Sequence, residues 1–229
     1  MSFRHEHPYP PFIPEKCTKL IVGTIPPPRF SKDEIDPTDV DFCYGSRFGL
    51  LWPILERIFD YNLAYENTAQ AIEQRKQLLT RNGIGICDMV DFCIRERMEA
   101  SDLGMKEIRL RNLKRILETH TDIEMLLFMG GNSKNGPEYL FKRHARENDL
   151  KVILKRSESP RISELDMGGR KIKCVSLISP SSAANRAIGG HPLYKAKRSA
   201  KKNYTTLDFR VEQYLPFFVN YRGLTPFEN

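Results

Sequence analysis

Five stretches of this chain place chemically capable residues just past short apolar runs. In 83–91 (GIGICDMVD), Asp88 follows the run IGIC. A carboxylate at such a place can position water, steady a cationic centre or accept hydrogen bonds from a ligand, and it can equally cap a following helix. Asp91 is the reserve carboxylate of the same stretch. In 20–28 (LIVGTIPPP) a buried run ends in Gly-Thr and then prolines, which cannot continue a ladder. Gly23 lets a ligand approach the backbone, and the turn through Pro26 offers the amides of Gly23, Thr24 and Ile25 where negative charge develops.

The stretch 41–55 (DFCYGSRFGLLWPIL) sets Phe42, Tyr44 and Phe48 around a Gly-Ser-Arg turn. Phe42 or Tyr44 can stack there on a flat heterocycle, whereas Trp52 is most simply a core anchor. In 128–136 (FMGGNSKNG), Asn132 adds amide groups and the glycines add backbone donors. The fifth stretch, 177–187 (LISPSSAANRA), carries Ser179, Ser181, Ser182, Asn185 and Arg186, polar groups suited to close contact with a DNA backbone. Lys195, Lys197, Arg198, Lys201 and Lys202 follow it, where duplex phosphates would lie if that loop met DNA; a plain solvated charge run has the same composition. The five His show no metal-ligand spacing, so zinc-assisted hydrolysis has no support in the sequence.

Such turns need a frame that brings them together. Residues 18–23, 84–87, 124–129 and 173–178 read as buried parallel strands. Helical periodicity falls at about 50–59, 67–81, 106–118, 137–147 and 207–219. This alternation predicts an α/β three-layer sandwich with a central, mostly parallel four-stranded sheet and its working surface at the carboxyl ends of the strands. Residues 151–154 suggest an extra strand, and 161–175 a hairpin turning at Gly168-Gly169. The Pro-rich arm ahead of residue 17 and the basic run 195–202 read as surface or linker. The 229 residues suit a single domain with its core at about 17–219.

Lys plus Arg exceed Asp plus Glu by 36 to 29, a net charge of +7, which favours a polyanion over an acidic protein as partner. No apolar run approaches the ~20 residues that span a bilayer, and residues 1–16 lack a signal-peptide stretch, so the expectation is a cytoplasmic monomer, nucleoid-associated in a bacterium, with no membrane partner. Cys17, Cys43, Cys87, Cys93 and Cys174 are odd in number and scattered. They fit reduced buried thiols better than a disulfide framework. The first four could in principle supply thiolates to an iron–sulfur cluster, but close ligand pairs are missing and no cofactor or metal is expected.

Taken in order, LIVGTIPPP, YGSRFGLLWPIL, GIGICDMVDFC, LLFMGG, LISPSSAAN and the closing DFRVEQYLPFF resemble the hypoxanthine-DNA glycosylase branch of the uracil-DNA glycosylase superfamily, over about residues 19–218. The resemblance implies that fold and, as partner, DNA carrying a damaged or mispaired base. It makes residues 23–27 the pocket-floor turn, Tyr44 an aromatic shelf, Asp88 a polar pocket residue and 179–185 the loop pressing on the lesion strand. Two departures stand out: Phe48 and Gly49 occupy the positions where the branch has an Asn, and no His lies in the second motif.

The implied activity is hydrolysis of the N-glycosidic bond of a deaminated base, uracil or hypoxanthine, in base excision repair, after the base is flipped out at a cost of a few kcal/mol. Asp88 is then the catalytic carboxylate, and the 23–25 amides and Asn132 the donors to the departing base. A DNA-binding member that has lost the chemistry, and a small-molecule nucleoside enzyme, are the alternatives.

Overall fold

The computed structural model describes residues 2–32 and 34–219. Its centre is a mixed sheet of six strands rather than the four expected, in the order β3-β2-β6-β9-β8-β7. The strands are β2 Lys19–Gly23, β3 Ile84–Asp88, β6 Met125–Phe128, β7 Lys151–Arg156, β8 Arg161–Met167 and β9 Arg170–Ser176. The first four in spatial order are mutually parallel, as the apolar runs predict. The other two, β8 and β7, extend the sheet beyond β9 by antiparallel pairing. Gly168 and Gly169 both adopt positive φ, +70° and +98°, so the chain reverses in two residues and β8 pairs antiparallel to β9, with Leu165 facing Ile172. β7 then pairs antiparallel to β8.

Period-two alternation sends neighbouring side chains to opposite faces. Ile21, Ile86, Leu127 and Val175 pack with Trp52, Leu55, Leu78 and Tyr214 of the helices α1 Leu51–Phe59, α2 Ala69–Arg81 and α7 Thr206–Phe218. Leu20, Val22, Leu126 and Phe128 pack on the other face with Leu113 and Leu117 of α3 Leu113–Thr119 and Leu140 and Phe141 of α4 Pro137–Glu147. The three layers follow from these two half-cores.

Two further expectations fail here. The single helix anticipated at about 106–118 is a strand, β5 Lys106–Leu110, followed by the shorter α3, which begins where the Asn112 side chain accepts the Arg115 amide at 3.0 Å. β5 is drawn out by pairing with β4 Val90–Arg95, which leaves β3 after one intervening residue. Asp88 therefore caps no helix. The Pro-rich arm is not a linker either. Its strand β1 Phe3–Glu6 covers the other edge of β4, and Phe12 exchanges backbone hydrogen bonds with Ile86 at 3.0 and 2.8 Å. An open strand edge is a row of unmet donors and acceptors, and the arm meets them.

Because β2, β3, β6 and β9 run parallel, Gly23, Asp88, Phe128 and Ser176 all end at one edge. α5 Asn185–Gly190 and α6 Pro192–Ala200 lie beyond it, seated on α7 through Ile188, Tyr194, Tyr204 and Phe209. No helix among the described residues is long and apolar enough to cross a membrane.

Candidate active site

At that edge lies a cavity of about 630 Å³, within the range of pockets that hold small molecules. Its floor is the turn after β2. The carbonyls of Gly23 and Thr24 accept the amides of Met89 and Val90, at 2.9 and 3.0 Å, which locks this turn against the start of β4. Gly23 is required by crowding: a Cβ there would lie 1.9 Å from Tyr44 Oη and 2.4 Å from Asp88 Oδ1. Those two polar atoms therefore share the space above one glycine.

Asp88 ends β3 with its side chain 5% exposed. Oδ2 accepts from His7 Nε2 at 2.9 Å, while Oδ1, also buried, has no partner within the protein. Tyr44 is held in the left-handed region at φ +57°, a conformation that costs a non-glycine residue about 1–2 kcal/mol. The surrounding loop sustains it. Gly45 donates to Phe42 O at 2.9 Å, and the Trp52 indole donates to Cys43 O at 3.0 Å. Burial first, and then the charge of Asp88, push the Tyr44 hydroxyl well above its usual range, so it stays a neutral donor.

A second carboxylate, Asp102, borders the same cavity. Burial lifts it from 3.8 to about 6, helped by Asp88 and opposed by a 3.3 Å hydrogen bond from Thr24 Oγ1 and by the Arg95 guanidinium. Its loop is fixed by two buried residues. Arg95 Nη1 donates to the carbonyls of Glu99 and Ser101 at 3.0 and 2.7 Å, and the Asn135 side chain donates to Asp102 O at 3.0 Å.

The rim consists of two loops laced together. Gly49 bridges Ser181, and the Leu50 amide donates to Pro180 O at 2.8 Å. Arg29 shapes one loop, with a bidentate pair to the fully buried Asp39 at 2.7 and 3.0 Å and a 2.8 Å bond to Ser46 Oγ. Although burial raises Asp39, these bonds and the Arg47 amide outweigh it and hold the carboxyl below its usual range. Arg210 of α7, fully buried, shapes the other by donating to Ser179 O, Ser181 O and Asn185 Oδ1 at 2.8–2.9 Å.

Thr24, Ile25, Pro26, Tyr44, Phe48, Gly49, Asp88, Ser179, Ser181 and Ser182 thus line one cavity, with Gly23 adjoining it under Tyr44 and Asp88. Phe48 is 62% exposed at the mouth, whereas Phe42 is buried against Trp52 and is no stacking surface. Asn132 is not among the lining residues. It faces a neighbouring cavity of about 190 Å³ beside Glu138 and Arg161, while Gly130, Gly131 and Ser133 of the same turn line the main cavity. Asp91 points outward, half-exposed and 4.0 Å from Arg109, since successive residues of β4 alternate faces. Asn185 is committed to Arg210, and Arg186 is exposed on α5. Of the basic run on and after α6, Lys197 pairs with Glu212 and Arg198 donates to Tyr194 Oη at 3.2 Å; Arg198, Lys201 and Lys202 are exposed.

Asp102 and Arg29, which line the cavity, and His7 and Arg210, which hold Asp88 and the serine loop, are residues that pattern reading missed. His5 and His7 stand at the period-two spacing of a strand face, a signal available in the arm. Asp102 lies in an ordinary polar loop and carries none. The five cysteines are all buried and unpaired, and among the described residues no group of three or more His, Cys, Asp or Glu is arranged to hold a metal ion.

No protein-family model matches the sequence, and no curated protein is significantly similar to it. Among solved structures it is similar to the solution NMR structure of a "putative uracil DNA glycosylase" from Methanosarcina acetivorans, with a TM-score of 0.52 and 15% identity over 92% of this chain and 99% of that one. The fold is therefore of the uracil-DNA glycosylase type.

Proposed function

We propose that this protein is a DNA glycosylase that hydrolyses the N-glycosidic bond of a deaminated base, uracil or hypoxanthine, flipped out of DNA. The observation that carries this reading is the unpartnered, buried Oδ1 of Asp88 at a cavity under a serine-rich rim. A buried acceptor left without a donor costs about 1–3 kcal/mol, a cost that a water or substrate N–H in the cavity removes.

In the reaction, water held on Oδ1 attacks C1′ as the C1′–N bond breaks. The bonding pair leaves with the base, the water proton passes to Asp88, and the base takes a proton from Asp102, whose value near 6 leaves part of it protonated at neutral pH. Proton exchange with solvent resets both carboxyls. Tyr44, over Gly23, forms the shelf for the base, and the Ser179–Ser182 rim approaches the phosphodiester backbone.

The test is incubation with single strands and duplexes containing uracil, hypoxanthine or xanthine, read as alkali-labile sites. Wild-type protein is expected to release at least one of these bases. Asp88→Ala should slow release by about 100- to 10,000-fold with DNA binding nearly intact. Asp88→Asn separates positioning by hydrogen bonds, which survives, from electrostatic support of the sugar cation, which does not. Binding without release would leave a DNA-binding protein lacking the chemistry, the outcome that Gly49 in place of Asn favours. Neither binding nor release would point to a small-molecule substrate.

A further inference from the structure

What holds the second oxygen of Asp88 lies 81 residues earlier in the chain. His7 donates from Nε2 to Oδ2 at 2.9 Å, and its Nδ1 accepts the Tyr9 amide at 3.1 Å. A ring nitrogen that accepts an N–H carries no hydrogen itself, so this contact sets the tautomer that donates to Asp88. The imidazole is 1% exposed, and its two hydrogen bonds fix the orientation of the ring. Its own amide donates to Asp91 O at 2.8 Å, and Tyr9 behind it is fixed by Oη donating to Asp41 at 2.7 Å and by Arg111 donating to its carbonyl at 2.6 Å.

The same arm reaches the second carboxylate. His5 Nδ1 accepts from Arg95 Nε at 2.9 Å, and Arg95 holds the Ser101 carbonyl next to Asp102.

We propose that His7 is a positioning residue: by holding Oδ2 it turns the Asp88 carboxylate so that Oδ1 alone faces the flipped nucleotide, which makes the arm part of the active site. This rests on the glycosylase reading. Without the imidazole the carboxylate can rotate, and displacement of a reacting group by about 1 Å costs on the order of 100-fold in rate.

The experiment compares wild type, His7→Leu and His7→Gln, the last of which keeps an N–H donor at similar reach. Single-turnover base release, DNA affinity and thermal unfolding are measured on each. His7→Leu should lose about 100-fold in single-turnover rate with Kd unchanged within about threefold, and His7→Gln should recover at least about tenfold of that loss. A His7→Leu rate within about threefold of wild type, or a Gln variant no better than Leu while equally folded, overturns the proposal. The ring tautomer, read by nitrogen NMR on the intact protein, is independent of activity. Hydrogen on Nε2, with a resonance that moves in Asp88→Ala, supports the pairing; hydrogen on Nδ1 ends it. If wild type releases no base while the NMR result stands, the failure belongs to the glycosylase reading and the pairing survives without a catalytic role.

Discussion

Replacing Asp102 with Asn should stabilise this protein at neutral pH and leave its stability unchanged in acid. In the folded chain the carboxyl titrates near 6, against 3.8 for an ordinary Asp, because the cavity wall desolvates it beside Asp88. Below the unfolded value both states hold the proton and the residue costs nothing. As pH rises from about 4 to 6 the unfolded chain loses that proton first, so stability falls. Above 6 the loss is complete. A shift of roughly two units amounts to about 3 kcal/mol, and partial exposure to the cavity lowers the expected effect to about 1–3 kcal/mol. Asn carries no such penalty, so the difference between variant and wild type should grow from near zero at pH 4 to a plateau above about pH 6.5. Urea denaturation at a series of pH values, with linear extrapolation and equal slopes for the two proteins, measures it. A difference that stays flat from pH 4 to 8, or a variant less stable than wild type at pH 8, would refute the placement of a desolvated carboxyl at this cavity. Base release supplies a second readout: it should decline in wild type as pH rises through about 6, and Asp102→Asn should remove that limb.

Gly23→Ala should displace Tyr44 or Asp88, whose functional atoms lie 1.9 and 2.4 Å from the added carbon; the expected result is a loss of about 1–3 kcal/mol in unfolding experiments and a larger fall in base release than in DNA affinity. DNA affinity should decline steeply with salt, and replacing Lys197, Arg198, Lys201 and Lys202 by Ala should flatten the log–log slope by about 0.9 for each side chain that meets a phosphate. Lys197 alone should change that slope least, since Glu212 already pairs with it; an unchanged slope in the quadruple variant would return the run to a solvated surface.

What the sequence by itself determined is whatever rests on local pattern. Continuous apolar runs such as LIVG and IGIC are what strands buried on both faces require, so the four parallel strands and the turns at their ends were legible, and with them Thr24, Tyr44, Asp88 and the serine loop. The hairpin was legible too, from its glycine pair. That β8 and β7 extend the sheet beyond β9 to six strands was not, because strand order depends on which edges remain open after folding. β5 was misread for the same reason: 106–118 has helical periodicity, but pairing with β4 outweighs a weak local preference. Only the tertiary structure decided that Asn132 faces the neighbouring cavity and that Asp102 borders the main one; the loop of Asp102 is set there by the side chain of Asn135, 33 residues on, which donates to the Asp102 carbonyl. The titration of Asp102 and the meeting of His7 with Asp88 belong to the same class. Both arise from burial and from neighbours brought together across dozens of residues, and neither leaves a periodic trace in the residues next to them.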